Sequence, residues 1–345
     1  MPGAMSTTTG ASPTPLQKGI SKTKFNIALT LAALLLIAIF LFTYFTGRNV
    51  FKPVTQALTF NPGPPAYIYS IYGEGAEGQL KKPMGVTVAN SRIYVADTSN
   101  QRVQVFDYNG KALFKFGKDG KGAGQFQFPY GIAADSNDHI YVADMWANNI
   151  QEFTSDGKFV KYFARDKQGK SEIGKPTGLC IVNGKLYEAD LKSNSVKVFD
   201  IATEKKVQEI GKEGKGAGQF VAPNSVVVTA DKIYVGDSQN DRLEAFSPDG
   251  KFLYSMNGAD NSASTNSKTI TVRGIGVDSR GVVYGASMLG NYVCGFDSKG
   301  KYLWTFGGQG MEDGQFILPN GLFVDSQGRI YVTDEGNNRV SVWEN

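Results

Sequence analysis

Histidine occurs once in 345 residues, as His139, and cysteine twice, as Cys180 and Cys294. One imidazole cannot build a histidine-ligated metal centre, and two distant thiols supply neither a disulfide framework nor a thiolate cluster. Net charge is scarce as well, only +4, far from the dense positive surface that nucleic acid requires. What the chain has in abundance is glycine, 41 residues, with 22 Phe and 16 Tyr. That composition suits strands joined by tight turns.

The first 24 residues carry no acidic group and are rich in Ser, Thr, Pro and Gly. They bury too little apolar surface to order themselves and read as a disordered tail. Phe25–Phe45, "FNIALTLAALLLIAIFLFTYF", holds no charge. At helical rise it spans roughly 30 Å, the thickness of a hydrocarbon core. It is longer than a signal-peptide core, and "FTGRNV" offers no small-residue cleavage pattern, so an uncleaved anchor in the lipid bilayer is expected. Lys18, Lys22 and Lys24 precede the span; Arg48 and Lys52 follow it. The bias puts the N-terminus in the cytoplasm and makes the chain a single-pass protein of the cytoplasmic membrane, its remainder extracytoplasmic. Residues 46–65, with Pro53, Pro62, Pro64 and Pro65, read as an extended tether.

The stretch "GKDGKGAGQF" at Gly117–Phe126 has the ingredients of a phosphate loop. It recurs, however, as "GKEGKGAGQF" at Gly211–Phe220, "GGQGMEDGQF" at Gly307–Phe316 and "GEGAEGQL" at Gly73–Leu80. A nucleotide site occurs once, whereas a structural turn occurs once per repeat. A second element sets the period: "IYVAD", "IYVAD", "LYEAD", "IYVGD", "VYGAS" and "IYVTD". Their tyrosines, Tyr94, Tyr141, Tyr187, Tyr234, Tyr284 and Tyr331, stand 47, 46, 47, 50 and 47 residues apart. Each unit opens with a Pro-x-Gly-apolar strand such as "PYGIAAD". The "IYVAD" strand comes next, then a strand such as "RVQVFD", then a Gly-Lys turn and a fourth strand such as "KALFKF". Four antiparallel strands repeated six times predict an all-β, six-bladed β-propeller over residues 66–345. The last unit ends at "RVSVWEN" without a fourth strand, while "YIYSIYG" at Tyr67–Gly73 matches the fourth strands "FLYSMNG" and "YLWTFGG". The segment after the tether is therefore expected to complete the last blade and fasten the ring.

The first unit, "KKPMGVTVANSRIYVADTSNQRVQVFDYNGKALFKFG", resembles the NHL repeat family, and the six copies extend that resemblance over residues 66–345. It implies the propeller fold and leaves function open, because the family includes peptide lyases, receptor sensor domains and RNA- or protein-binding propellers. Its lyases, as the resemblance has it, hold a metal through several histidines, which this chain lacks. Related lactonases and hydrolases hold calcium through carboxylates and amides around the channel.

The strand-end aspartates Asp97, Asp144, Asp190, Asp237 and Asp334 recur once per blade, which suits a turn-fixing role in which they accept N–H groups of the following loop. "DSNDH" at Asp135 lacks the glycine and glutamate of a calcium loop and reads as a hairpin. The residue inside each Pro-x-Gly motif is expected to ring one channel mouth: Met84, Tyr130, Thr177, Asn224, Arg273 and Asn320. This set holds no carboxylate, a poor shell for a hard cation. Tyr130 and Arg273, from blades two and five, would face one another and could grip an acidic or aromatic group. Trp146 is a further exposed-aromatic candidate. Blade five departs most from the pattern, with Ser287 for Asp and the lead-in "GADNSASTNSKTITVRG". The expected function is a membrane-anchored scaffold or recognition module binding a protein or small ligand at the mouth and blade-connecting loops, with no cofactor. The alternative is a metal-dependent hydrolase or lyase acting on a small extracytoplasmic substrate. No nucleic-acid partner is expected.

Overall fold

The computed structural model describes residues 63–73, 78–166, 168–257 and 271–345. The expected tail, anchor and most of the tether lie outside the described residues, as does most of the blade-five lead-in. Among the described residues, no helix is long and apolar enough to cross a membrane.

Among the described residues, twenty-four strands form six four-stranded antiparallel sheets. Five of these blades are contiguous in sequence. The sixth joins Pro319–Val324, Ile330–Asp334 and Arg339–Glu344 to the N-terminal strand Ala66–Ile71. Tyr67 lies opposite Trp343 and Ile71 opposite Val340. The latch is also held by side chains: Tyr67 Oη donates to Asp313 Oδ1 at 2.8 Å, and Arg339 Nη1 to Tyr72 Oη at 3.0 Å.

The core of the described residues is divided into six clusters. These apolar clusters fill the spaces between neighbouring sheets, as alternating strands dictate. Val95 and Phe106 of blade one meet Ile71 and Val340 of blade six, and Tyr94 and Val103 meet Ile132 and Val142 of blade two. The glycine-rich stretches supply plugs for these spaces. Phe126, Phe220 and Phe316 are fully buried at the ends of their loops, each worth about 2 kcal/mol of transfer free energy. Their backbone groups turn inward. Gly122 N donates to Gln125 Oε1 at 3.0 Å and Gly124 N to Gln151 Oε1 at 2.9 Å. The stretch that looks like a phosphate cradle is a folded connector.

The strand-end aspartates are structural hubs, though their bonds run differently from the sequence reading. Most main-chain donors belong to the loop entering the blade, not to the one leaving it. Asp97 accepts Lys81 N at 2.7 Å, Asp237 accepts Val221 N at 2.7 Å and Asp334 accepts Ile317 N at 2.8 Å. Cross-strand arginines complete three of the hubs: Arg102, Arg242 and Arg339 bind Asp97, Asp237 and Asp334 at 2.7, 3.0 and 2.9 Å. Arg339 also donates to the carbonyls of Glu312 and Gln315, so one guanidinium ties blade to connector.

One buried residue breaks the interface pattern. Val95, Val142, Val235 and Val332 occupy the middle of their second strands, fully buried; in blade three that place holds Glu188, also fully buried, with no side-chain hydrogen bond to either carboxylate oxygen. Burial, assisted by Asp190 and opposed by Lys197, pushes its carboxyl up to about 8.

Two measurements follow. Removing Ile71, which is 2% exposed, should loosen the latch: Ile71→Ala is expected to cost about 3 kcal/mol in urea unfolding. Unchanged stability there, or on deleting Ala66–Ile71, would remove the closing strand from the fold's support. Glu188 is protonated in the folded chain at pH values where the unfolded chain has already ionised it. Its raised carboxyl therefore costs nothing below about pH 4.5 and progressively more as pH climbs to about 8. Glu188→Val should flatten that decline, gaining on the order of a few kcal/mol at pH 8.5 and little at pH 4.5. An equal gain at both pH values would contradict the ionisation argument.

Candidate functional site

The inner strands converge because of the Pro-x-Gly motif. Pairing with the second strand slips at this motif, between Pro129 and Ile132, Pro176 and Leu179, and Pro319 and Leu322. Such a bulge re-aims the middle residue. The glycine then admits the neighbouring blade. A Cβ on Gly131 would stand 2.0 Å from the Thr177 carbonyl oxygen, on Gly85 2.2 Å from that of Tyr130, and on Gly321 2.3 Å from that of Met84. Hydroxyls stitch the same seam, with Thr98 Oγ1 donating to Pro129 O at 2.7 Å and Thr333 Oγ1 to Met84 O at 3.0 Å.

The six motif residues take unequal roles. Thr177 turns away, donating to Ala189 O and Pro223 O at 2.8 and 3.2 Å, and so belongs to the seam. Met84 is buried and lines the channel. The other four meet. Tyr130 Oη lies 2.9 Å from Asn320 Oδ1 and 3.2 Å from Asn224 Oδ1, and Arg273 Nη1 donates to that same Asn224 oxygen at 2.7 Å. The single phenol proton can serve only one amide oxygen at a time. The arrangement leaves Asn320 to Tyr130 and gives Asn224 to Arg273. Blades two, four, five and six are thus joined across the axis by side chains alone. Tyr130, Asn224 and Asn320 are buried, while Arg273 keeps partial contact with solvent. Burial raises the Tyr130 phenol, against the opposing pull of Arg273.

Behind the junction lies a channel cavity of about 140 Å³, lined by Gly85, Thr87, Ala133, Cys180, Val227 and Phe323 among others. Burial pushes the Cys180 thiol up to about 11, so it is not poised as a thiolate nucleophile. The lone histidine is remote from this chemistry: His139 Nδ1 pairs with Glu152 Oε1 at 2.5 Å beside its hairpin. Among the described residues, no group of three or more His, Cys, Asp or Glu stands where it could hold a metal ion.

Two neighbours of the mouth escaped the sequence reading. Glu335, which follows the blade-six hub aspartate, accepts from Asn320 Nδ2 at 3.4 Å and lies 4.0 Å from Lys82 Nζ. Phe128, two residues before Tyr130, stacks on Tyr130 at 6.4 Å between centroids and on Trp146 at 4.6 Å. Trp146 is 58% exposed at the rim. The doublet "FQFPY" was the available signal, since a second aromatic beside the motif occurs in no other blade.

Comparisons with known proteins agree with this architecture. A family model described as a 6-bladed beta-propeller matches residues 76–166 and 160–266, and an NHL repeat model matches 316–343. The Drosophila melanogaster protein brain tumor is 45% identical over 62 residues, which is 18% of this chain and only 6% of that protein. A streptogramin B lyase structure is 13% identical with a TM-score of 0.57, over 81% of this chain and 98% of that one. A catalytically inactive Staphylococcus aureus virginiamycin B lyase with quinupristin gives 15% and 0.53, over 81% and 87%. A gluconolactonase from Xanthomonas campestris gives 16% and 0.58, over 82% and 95%. At such identities the structural likeness speaks to fold alone.

The junction has a measurable signature. Tyr130→Phe strips Asn320 Oδ1 of its donor inside a buried setting and is expected to cost about 1–3 kcal/mol in chemical unfolding. No loss would mean that the phenol does not bridge the blades.

Proposed function

The chain belongs to the six-bladed β-propeller family, and on that premise we propose that it is a membrane-anchored, extracytoplasmic recognition module binding its partner at the channel mouth. The observation that carries this reading is the junction itself. Tyr130, Asn224, Arg273 and Asn320 are engaged with one another as neutral amide, phenol and guanidinium partners, and no side chain there is held as a nucleophile beside a base. A polar junction with one cation and an adjoining exposed aromatic suits recognition. The charge-free run 25–45 and the lysines before it support the anchor and the orientation.

A second reading keeps a specific observation in its favour. Glu335 adds a carboxylate beside the mouth amides, and the fold is shared with a gluconolactonase and with lyases. A hydrolase or lyase of small extracytoplasmic substrates would use such a mouth, with oxygen donors for a hard cation.

The experiment is a capture assay on the full chain in detergent. Tyr130→Ala combined with Arg273→Ala should reduce partner capture at least about tenfold while the protein stays folded by circular dichroism. Undiminished capture would exclude the mouth. A stoichiometric divalent ion in the purified protein, lost with activity on Glu335→Gln, would favour the hydrolase.

A further inference from the structure

Three near-parallel rings lead from the rim to the mouth. Trp146 and Phe128 are inclined by 27°, Phe128 and Tyr130 by 24°, and exposure falls from 58% at Trp146 to 6% at Tyr130. The row ends where the Tyr130 hydroxyl and Arg273 Nη1 approach the same oxygen of Asn224. We infer that this row and Arg273 form a binding site for a monoanionic aromatic carboxylate, its acid group on the guanidinium and its rings over Phe128 and Trp146.

This deepens the recognition reading above and rests on it, and four features of the site choose the ligand class. The first is the state of Arg273. Its Nη1 donates to a neutral amide, and its Nε is buried with no acceptor among the described residues. A planar carboxylate can engage a guanidinium edge through two parallel bonds, which an isolated amide oxygen cannot do.

The second is the local charge. Lys82 and Glu335 offset each other at 4.0 Å, leaving Arg273 as the unbalanced charge of the mouth among the described residues. One negative charge matches it, whereas a dianion would bring one charge more than the mouth balances.

The third is that the amide nitrogens of the junction are already engaged. Asn224 Nδ2 already donates to Ala222 O and Ser238 Oγ at 2.8 and 2.9 Å, and Asn320 Nδ2 points to Glu335. A polyhydroxylated body such as a sugar would find these amides occupied. The fourth is the row itself. A ligand laid along it meets the edges of successive rings, which carry positive charge and attract the face of an aromatic system. The two ring spacings, 6.4 and 4.6 Å, provide room for a body of about two rings.

The test uses the full chain in detergent, titrated calorimetrically with biphenyl-4-carboxylate and with its neutral carboxamide. The carboxylate should bind at least about tenfold more tightly than the carboxamide. Arg273→Gln should erase that preference, and Arg273→Lys, which keeps the charge but not the fork, should retain part of it. Trp146→Ala should weaken both compounds about equally, by roughly fivefold. The inference is overturned if the carboxylate does not bind, if the carboxamide binds as well, or if the preference survives Arg273→Gln. Should it fail while capture of a partner still depends on the mouth, the recognition reading stands without it; loss of mouth-dependent capture would remove both.

Discussion

A carbonyl oxygen standing where a side chain would otherwise be is the contact on which the propeller depends. Around the axis, the glycine of one Pro-x-Gly motif receives the backbone of the next blade, so closely that a methyl group would lie within about 2 Å of oxygen at Gly85, Gly131 and Gly321. Six sheets can crowd a common axis only if something small stands at each seam. Blade four is the exception, placing Ser225 where the others have glycine. The remaining stability is distributed outward: apolar clusters between faces, aspartate hubs at the strand ends, and aromatic plugs under the connectors. Because each seam depends on its neighbours, the ring needs its last contact as much as its first. Gly321 packing on Met84 and Ala66–Ile71 pairing with Arg339–Glu344 are two forms of the same closure.

Most of this was legible because repetition multiplies weak signals. A single Ile-Tyr-Val-Ala-Asp is an unremarkable strand, whereas six at a steady spacing fix the blade count, and the missing fourth strand identifies its own replacement. The hub aspartates were legible in kind, since a buried Asp at a strand end must find donors. Their direction was not, because the donor loop lies in space beside the strand end rather than after it in sequence. The junction was legible only as four members of a set of six equivalent positions, and no further. That Tyr130, Arg273, Asn224 and Asn320 meet while Thr177 turns into the seam depends on bulges and side-chain rotamers that a linear pattern does not encode. Glu188 was visible as a glutamate among valines, yet its isolation from partners needed the packed interface to appear.

The departures from the repeat fall into two physical kinds. In blade five, Ser287 replaces the hub aspartate and Tyr292 stands where the arginine would be; the two are opposite one another in register, as Asp97 is to Arg102. Both charges vanish together, and the position stays neutral. In blade three, Ser195 takes the arginine's place and Lys197, two residues on, supplies the cation to Asp190 instead. Such coupled changes preserve the hub and ask for no explanation beyond folding.

Glu188 and Arg273 are departures of the other kind, each a charge-bearing side chain with a polar atom that no side chain of the described residues engages. They part company on access. Glu188 is sealed between blades, where its only recourse is to hold a proton, and it acts on stability through pH. Arg273 stands at an opening, beside aromatic rings that run out to solvent. A guanidinium cannot shed its charge in the same way. Its Nε is left without an acceptor among the described residues, and that asymmetry is why the mouth, rather than the buried glutamate, is the place to look for a partner.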